Sequence, residues 1–137
     1  MLKLFGLLFS LMLISPDVIA RSTAPQNARL YFISPADGDI VTNPVTIRFG
    51  LVNMGIAPAG VEREDTGHHH LLIDTSVPAL DRPVPNDEQH RHFGKGQTET
   101  LLELAPGKHT LQLLLGDFSH IPHEPPVISE QITITVQ

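Results

Sequence analysis

The histidines are the residues of this chain that could do chemistry. The sequence has eight histidines and no cysteine, and every histidine lies between residues 68 and 123. Histidine is the commonest protein metal ligand, and it is the only side chain whose unperturbed pKa lies between about pH 5 and 8. This concentration therefore predicts either a metal site or a pH-sensitive surface. The histidines are His68, His69, His70, His90, His92, His109, His120 and His123.

A histidine triplet opens the cluster. If this segment is a strand, His68 and His70 point to one face and His69 to the other, because side chains alternate along a strand. Two imidazoles on one face can bind the same ion, but zinc and copper(II) need further ligands, which must come from another strand or loop. In the alternative interpretation, His69 shares the apolar face of Leu71 and Ile73 and is a hydrogen-bonded core histidine, while His68 and His70 are simply exposed.

Two further pairs of histidines fall in predicted loops. His90 and His92 repeat the spacing of two residues, inside a loop that we expect over residues 75–96. His120 and His123 lie in a second loop, which is stiffened by prolines, and such rigidity lowers the entropic cost of holding ligands in place. The alternative for His90 and His92 is a solvated polar loop. The alternative for His120 and His123 is a rigid connector between sheets.

His109 and Asp117 are weaker candidates. His109 is on the same face of its strand as Leu111 and Leu113 and is expected to point inward. This favours a core histidine with hydrogen-bonded ring nitrogens over a metal ligand. Asp117 could orient a ligating imidazole by a hydrogen bond to the ring nitrogen that does not bind the metal, or it could form a turn. We predict five histidines as the favoured metal ligands and four residues as less favoured ones, and spacing alone does not show which subset shares an ion. The five are His68, His70, His92, His120 and His123, and the less favoured residues are His69, His90, His109 and Asp117.

The missing cysteine narrows the chemistry. It excludes a thiol nucleophile, a cysteine-based zinc ribbon and a blue-copper centre, so the ions that suit the remaining ligands are zinc and copper(II). The formal net charge is −6 with neutral histidines, aromatic residues make up 5% of the chain, and the basic residues are scattered. Nucleic-acid binding is therefore not expected, which leaves a metal ion or an envelope protein as the expected partner.

The first twenty residues have the features of a signal peptide. Lys3 is followed by an apolar run over residues 4–14, and a small residue at position 20 precedes the expected cut. The run is shorter than the roughly 20 apolar residues of a membrane span, although a retained N-terminal anchor is the rival interpretation. We expect a mature domain over residues 21–137, periplasmic or secreted, without a transmembrane span.

Short strands separated by proline and glycine dominate the mature chain. Alternating apolar residues predict strands over residues 28–33, 45–51, 68–74, 98–104, 109–115 and 128–136. The turn at Pro106-Gly107 predicts a hairpin between the fourth and fifth of these. The expected fold is all-β, a single antiparallel immunoglobulin-like sandwich of about seven strands, with a small closed barrel as the alternative.

Several sequence blocks resemble one family. The strings TGHHHLLID, HFGKGQTE, LAPGKHTLQLLLGD and HIPHEPPVIS follow an earlier SPADGDIV and NPVTIRFGLVNMGIAPAG. Together they are similar to a group of small exported bacterial proteins catalogued as a domain of unknown function. The resemblance covers nearly all of the predicted mature chain and implies an exported β-domain, but it implies no activity.

Three classes of function fit these observations. The favoured class is a periplasmic metal-binding domain, and the second is a metal-free interaction module for a protein or envelope polymer, with a pH sensor as its variant. The third is a zinc enzyme that would use Glu62, Glu64, Asp65 or Asp74 as a base. No Ser-His-Asp order, HExxH helix or G-x-S-x-G turn is present, so we favour binding over catalysis and assign no catalytic residue.

Overall fold

The described part of the chain is built from strands packed in two layers. A computed structural model describes residues 20–137, and every helix or strand element within that range is a strand. The predicted signal peptide lies outside the described residues except for its last residue. The strands are β1 (Arg29–Ser34), β2 (Ile40–Val41), β3 (Val45–Val52), β4 (Gly55–Ile56), β5 (Thr66–Ile73), β6 (His90–His92), β7 (Glu99–Leu102), β8 (Gly107–Gly116) and β9 (Ile132–Val136).

The strands form two open sheets. One sheet has the order β1-β3-β7, and the other has the order β2-β9-β8-β5, with β4 and β6 both paired to β5. Apart from the short β2 and β4, this arrangement follows the A-B-E and G-F-C-C′ strand order of immunoglobulin-like domains. The all-β sandwich expected from the sequence is thereby confirmed. The described residues contain no helix long and apolar enough to cross a membrane.

The core lies between the two sheets and follows from strand alternation. Leu30, Ile47 and Phe49 of the smaller sheet face Leu113 and Ile134 of the larger one, and all are buried. Each such side chain contributes roughly 1.5–3 kcal/mol when it leaves water. The alternation between apolar and polar residues is clearest over Val45–Phe49 of β3 and throughout β9, where inward residues are buried and their neighbours are partly or fully exposed.

Strand β5 departs from this alternation because both of its faces are covered. All residues from Gly67 to Ile73 are buried. The inward face carries Leu71 and Ile73 into the core. The outward face carries His68, His70 and Leu72, which the segments outside the sheet bury as well. A strand buried on both faces is an unusual place for imidazoles unless they have polar partners or an ion.

The predicted strand count of about seven was wrong, because the described residues hold nine. The additional strands are short: β2 and β4 have two residues each and β6 has three. Segments of this length do not produce a readable alternation, and β6 lies in the stretch over residues 75–96 that was predicted as a loop. The β2–β9 and β4–β5 pairs are parallel, so the larger sheet is mixed and not purely antiparallel.

The predicted hairpin at Pro106-Gly107 does not form. β7 pairs with β3, whereas β8 pairs with β5 and β9, so this turn carries the chain from one sheet to the other. Just after β7, the side chain of Asn43 donates to the Leu104 carbonyl at 2.7 Å and accepts from the Leu104 N–H at 3.1 Å. Alternation identified both strands, but it carries no information about which sheet each one joins.

Candidate metal centre

Two of the predicted ligands come from β5 and share its outer face. The inward direction of His69 is shown by its ring, whose centroid lies 4.9 Å from that of Phe49 in the core. His68 and His70 therefore point away from the core, and their ring centroids are 4.8 Å apart. Strand alternation alone places these two imidazoles side by side, as the sequence predicted.

The third ring comes from β6. His92 is the direct cross-strand partner of His70 in the antiparallel β5–β6 pair, and directly opposed residues project from the same face of a sheet. The ring centroids of His70 and His92 are accordingly 5.1 Å apart. Within the pair His90 and His92, it is the pairing register that selects His92, because His90 lies opposite Leu72.

The fourth ring comes from the turn that follows β8. His120 has a positive φ of 67°, a conformation that a non-glycine residue keeps only when its surroundings hold it. Asp117 provides that hold, since its Oδ1 accepts the N–H groups of Ser119 at 2.8 Å and Ile121 at 3.0 Å. The carbonyl of His120 also accepts the N–H of Val84 at 2.9 Å. The turn is thus fixed from two sides.

These four rings converge on one point. One ligand atom from each of His68, His70, His92 and His120 lies within 4.8 Å of every other. The Nε2 atom of His68 is 3.1 Å from His120 Nδ1 and 3.1 Å from His92 Nε2. Nitrogens at the corners of a tetrahedron around zinc are separated by about 3.3 Å when the Zn–N distance is 2.0–2.1 Å. These two contacts have the spacing of neighbouring ligands on one ion, and the cluster has the ligand type of a metal site.

The buried rings are neutral at pH 7. The pKa of His68 is lowered to about 4, mainly by desolvation and also by His92 and His120, whereas Asp117 acts to raise it. Desolvation and the neighbouring histidines lower the pKa of His70 to about 2. Desolvation and His120 also lower the pKa of His92. A metal ion binds the neutral imidazole. Because these rings are already neutral at pH 7, an ion does not have to displace a proton from them.

The hydrogen bonding of the cluster is incomplete among the described residues. The buried Nδ1 atoms of His68 and His70 have no partner there. His68 Nε2 faces two other ring nitrogens, and a single proton on it can be donated to only one of them. A cation at the centre would accept the lone pairs of His68 Nε2, His92 Nε2 and His120 Nδ1 at once, which no arrangement of protons achieves. The Nδ1 of His68 cannot bind the same ion as its Nε2, so it has no partner among these residues in either case.

Two glycines make room for the rings. A Cβ atom on Gly116 would lie 2.6 Å from Cε1 of His70, and one on Gly94 would lie 2.3 Å from Cε1 of His92. Both distances are far below ordinary van der Waals contact. Sequence analysis missed these residues because neither glycine is a neighbour of its histidine in a recognisable motif. The only sequence signal was the presence of glycine close to a histidine-bearing strand.

His123, the fifth predicted ligand, lies outside the cluster. It is buried, and its Nε2 lies 3.0 Å from the Thr66 carbonyl oxygen, to which it can donate. His90 is also outside the cluster, because its Nδ1 pairs with Asp87 at 2.8 Å. The structure thus brings together four of the five favoured histidines, and both excluded rings have partners of their own.

The less favoured candidates have other roles. His109 is held between Asp74 at 2.7 Å and the Ala105 carbonyl at 2.7 Å, and the Asp74 hydrogen bond raises its pKa. His69 lies in the core, as in the alternative interpretation, but neither of its ring nitrogens has a partner among residues 20–137, so the hydrogen bond of that interpretation is absent there. Burial lowers the pKa of His69 to about 4. Asp117 forms the turn and acts on the cluster through the backbone around His120.

Comparison with known proteins gives a family without an activity. Residues 47–137 match the family model described as domain of unknown function DUF4399. The match spans more than half of the chain, so the chain belongs to this family, in agreement with the resemblance seen in the sequence. No curated protein and no solved structure shows detectable similarity. The function must therefore be argued from the site.

Proposed function

We propose that this chain is an exported binding domain that holds one divalent transition-metal ion, zinc or copper(II), between four histidines. The observation that carries the proposal is the convergence of His68, His70, His92 and His120, with one nitrogen of each within 4.8 Å of the others. Neutral imidazole is a good ligand for both ions. The predicted signal peptide supports a periplasmic or secreted location, where such a domain would store, buffer or deliver the ion.

The placement of the rings supports binding over a structural role for the histidines. A histidine retained for packing would have its ring nitrogens paired, as His109 does with Asp74 and Ala105. In the cluster, ring nitrogens face one another instead. His68 Nε2 carries either one proton or one lone pair, so it can satisfy only one of its two ring contacts fully. An ion would satisfy both, so we expect the cluster to be less stable without an ion than with one.

Metal titration of the purified mature domain tests the proposal. We expect one equivalent of zinc or copper(II) to bind, as measured by isothermal titration calorimetry and metal analysis. Bound ion should also raise the stability, by about 2.7 kcal/mol at a free ion concentration 100 times the dissociation constant. A dissociation constant no tighter than millimolar at pH 7.5 for both ions would refute the proposal.

The histidine pair of β6 provides a matched control. His92→Ala removes a ring of the cluster, whereas His90→Ala removes a ring two residues away that pairs with Asp87. Loss of a partner that merely orients a ligand weakens metal binding about 10–100-fold, so loss of a ligand should weaken it by on the order of 100-fold or more. Equal effects of the two substitutions would show that the ion binds elsewhere.

A further inference from the structure

The four rings of the cluster are not evenly spaced. Five of the six distances between ring centroids lie between 4.7 and 5.1 Å. The sixth, between His70 and His120, is 6.2 Å. A tetrahedral site would make all six distances equal, and a square site would make two of them long. A single long distance fits neither arrangement.

One wide angle leaves a coordination position free. If the four rings held one ion, the larger separation of His70 and His120 would make the angle between these two ligands the widest at that ion. Four ligands with one wide angle would leave room for a fifth ligand on that side of the ion. The missing ligand would lie in the gap between His70 and His120.

A cleft opens at that gap. It has a volume of about 170 Å³ and is lined by His70, His92 and His120 together with Val84 and Asn86. His68 is completely buried and does not line the cleft, so it forms the floor of the site. A water molecule occupies about 30 Å³ of liquid volume, so the cleft has room for a ligand of a few atoms beside the ion.

The charge of the site favours an anion in the cleft. Four neutral imidazoles leave the full positive charge of a divalent ion without compensation. The carboxylate that acts on His68 is that of Asp117, and it is already engaged by Ser22 Oγ at 2.7 Å and by the N–H groups of Ser119 and Ile121. The cleft itself is lined by neutral side chains, including the exposed amide of Asn86, which can donate to an anion.

The geometry points to an exchangeable coordination position, between His70 and His120, that accepts a small monodentate anion on the bound metal ion. This inference rests on the proposed function, since the position exists only when the four histidines hold an ion. Binding there is a simple substitution, in which the anion replaces water on the ion and no electron is transferred. The bound ion is thus open to ligands, and not enclosed as in a purely structural site.

Azide titration of the metal-loaded domain tests this inference. With copper(II) bound, we expect a saturable azide-to-copper charge-transfer band. With cobalt(II) as a probe for zinc, we expect the visible bands to change on azide addition. Stoichiometric metal binding without any response to azide would overturn the inference and leave the proposed function intact. Failure of the ions to bind at all would overturn both.

A variant that fills the cleft locates the position. Asn86→Leu places apolar bulk beside the gap and removes the amide donor without removing a metal ligand, so the azide affinity should fall at least 10-fold while one equivalent of metal still binds. Asn86 is exposed, so this variant retains the fold. Asn27→Leu, an exposed residue next to the smaller sheet, is the control. Azide binding that is equal in both variants would show that the anion binds elsewhere.

Discussion

Replacement of Gly116 by alanine should damage the metal site more than the fold. The Cβ of an alanine would lie 2.6 Å from Cε1 of His70, and ordinary contact begins at 3.4 Å, so the ring must move by about 0.8 Å. Metal–ligand distances tolerate deviations of about 0.2 Å. The required movement is several times larger, and the buried ring has little room for a compensating rotation.

The expected cost is different for binding and for folding. Overpacking of one methyl group destabilises a domain by about 1–3 kcal/mol, which leaves a domain of ordinary stability folded. Displacement of one ligand should weaken zinc or copper(II) binding by at least 10–100-fold, the range seen when groups that orient a ligand are removed. Competition with a chromophoric chelator measures the affinity, and urea unfolding followed by circular dichroism measures the stability.

Gly55→Ala is the matched control. Gly55 also lies in a strand beside β5, but its added Cβ would meet nothing closer than Thr66 Cγ2 at 3.4 Å. If Gly116→Ala does not fold, Gly94→Ala makes the same test on His92, which lies in a short and less buried strand. A folded Gly116→Ala variant that binds metal as tightly as the unmodified domain would refute the assignment of His70 as a ligand.

Three further predictions follow from the same contacts. His69 binds a proton in the unfolded chain below about pH 6.5 and in the folded chain only near pH 4. Folding stability should therefore fall as the pH decreases through this window, by about 2 kcal/mol at pH 5 from His69 alone. His69→Leu should remove that part of the pH dependence. It should also raise stability at pH 7.5 by about 1–3 kcal/mol, because it removes buried unpaired nitrogens. Chemical denaturation at a series of pH values measures both effects, and an unchanged pH profile would contradict the reasoning. Asp117→Ala removes the oxygen that accepts the N–H groups of Ser119 and Ile121, so it should weaken metal binding about 10–100-fold by loosening the turn that carries His120. Asp87→Ala, which alters a similar turn outside the cluster, should leave the affinity unchanged in the same titration. Bound metal should slow amide hydrogen exchange at residues 90–94 and 117–121 more than in β5, whose backbone is already hydrogen-bonded to strands on both edges. Slower exchange confined to β5 would contradict a site shared with these two segments.

Alternation along the chain was enough to predict the sandwich and half of the site. The apolar parity of β3, β8 and β9 identified the core, and the parity of β5 placed His68 and His70 on one face and His69 on the other. These predictions depend on local periodicity, which a single sequence displays. They also required that the histidine triplet lie in a strand, which its apolar continuation indicated.

The remaining ligands could not be chosen from spacing. His92 is selected over His90 by the register of β6 on β5, and His120 over His123 by the turn at Asp117. Both choices depend on contacts between segments far apart in the chain. The same limit explains the wrong hairpin, where Pro106-Gly107 predicted a turn correctly but Asn43, 61 residues before Leu104, directs the chain to the other sheet.

The division of the site between rigid and peripheral segments accounts for its openness. His68 and His70 are fixed by a strand with neighbours on both edges, and this half of the site is deeply buried. His92 and His120 come from a three-residue strand and a turn, and both rings are only partly buried. Ligands on rigid strands are held more precisely than ligands on loops, so His68 and His70 would set the position of the proposed ion, and the partly buried His92 and His120 would face its route of entry. A domain that only stabilised itself with metal would gain from four rigid, enclosed ligands, so the observed asymmetry favours an ion that exchanges.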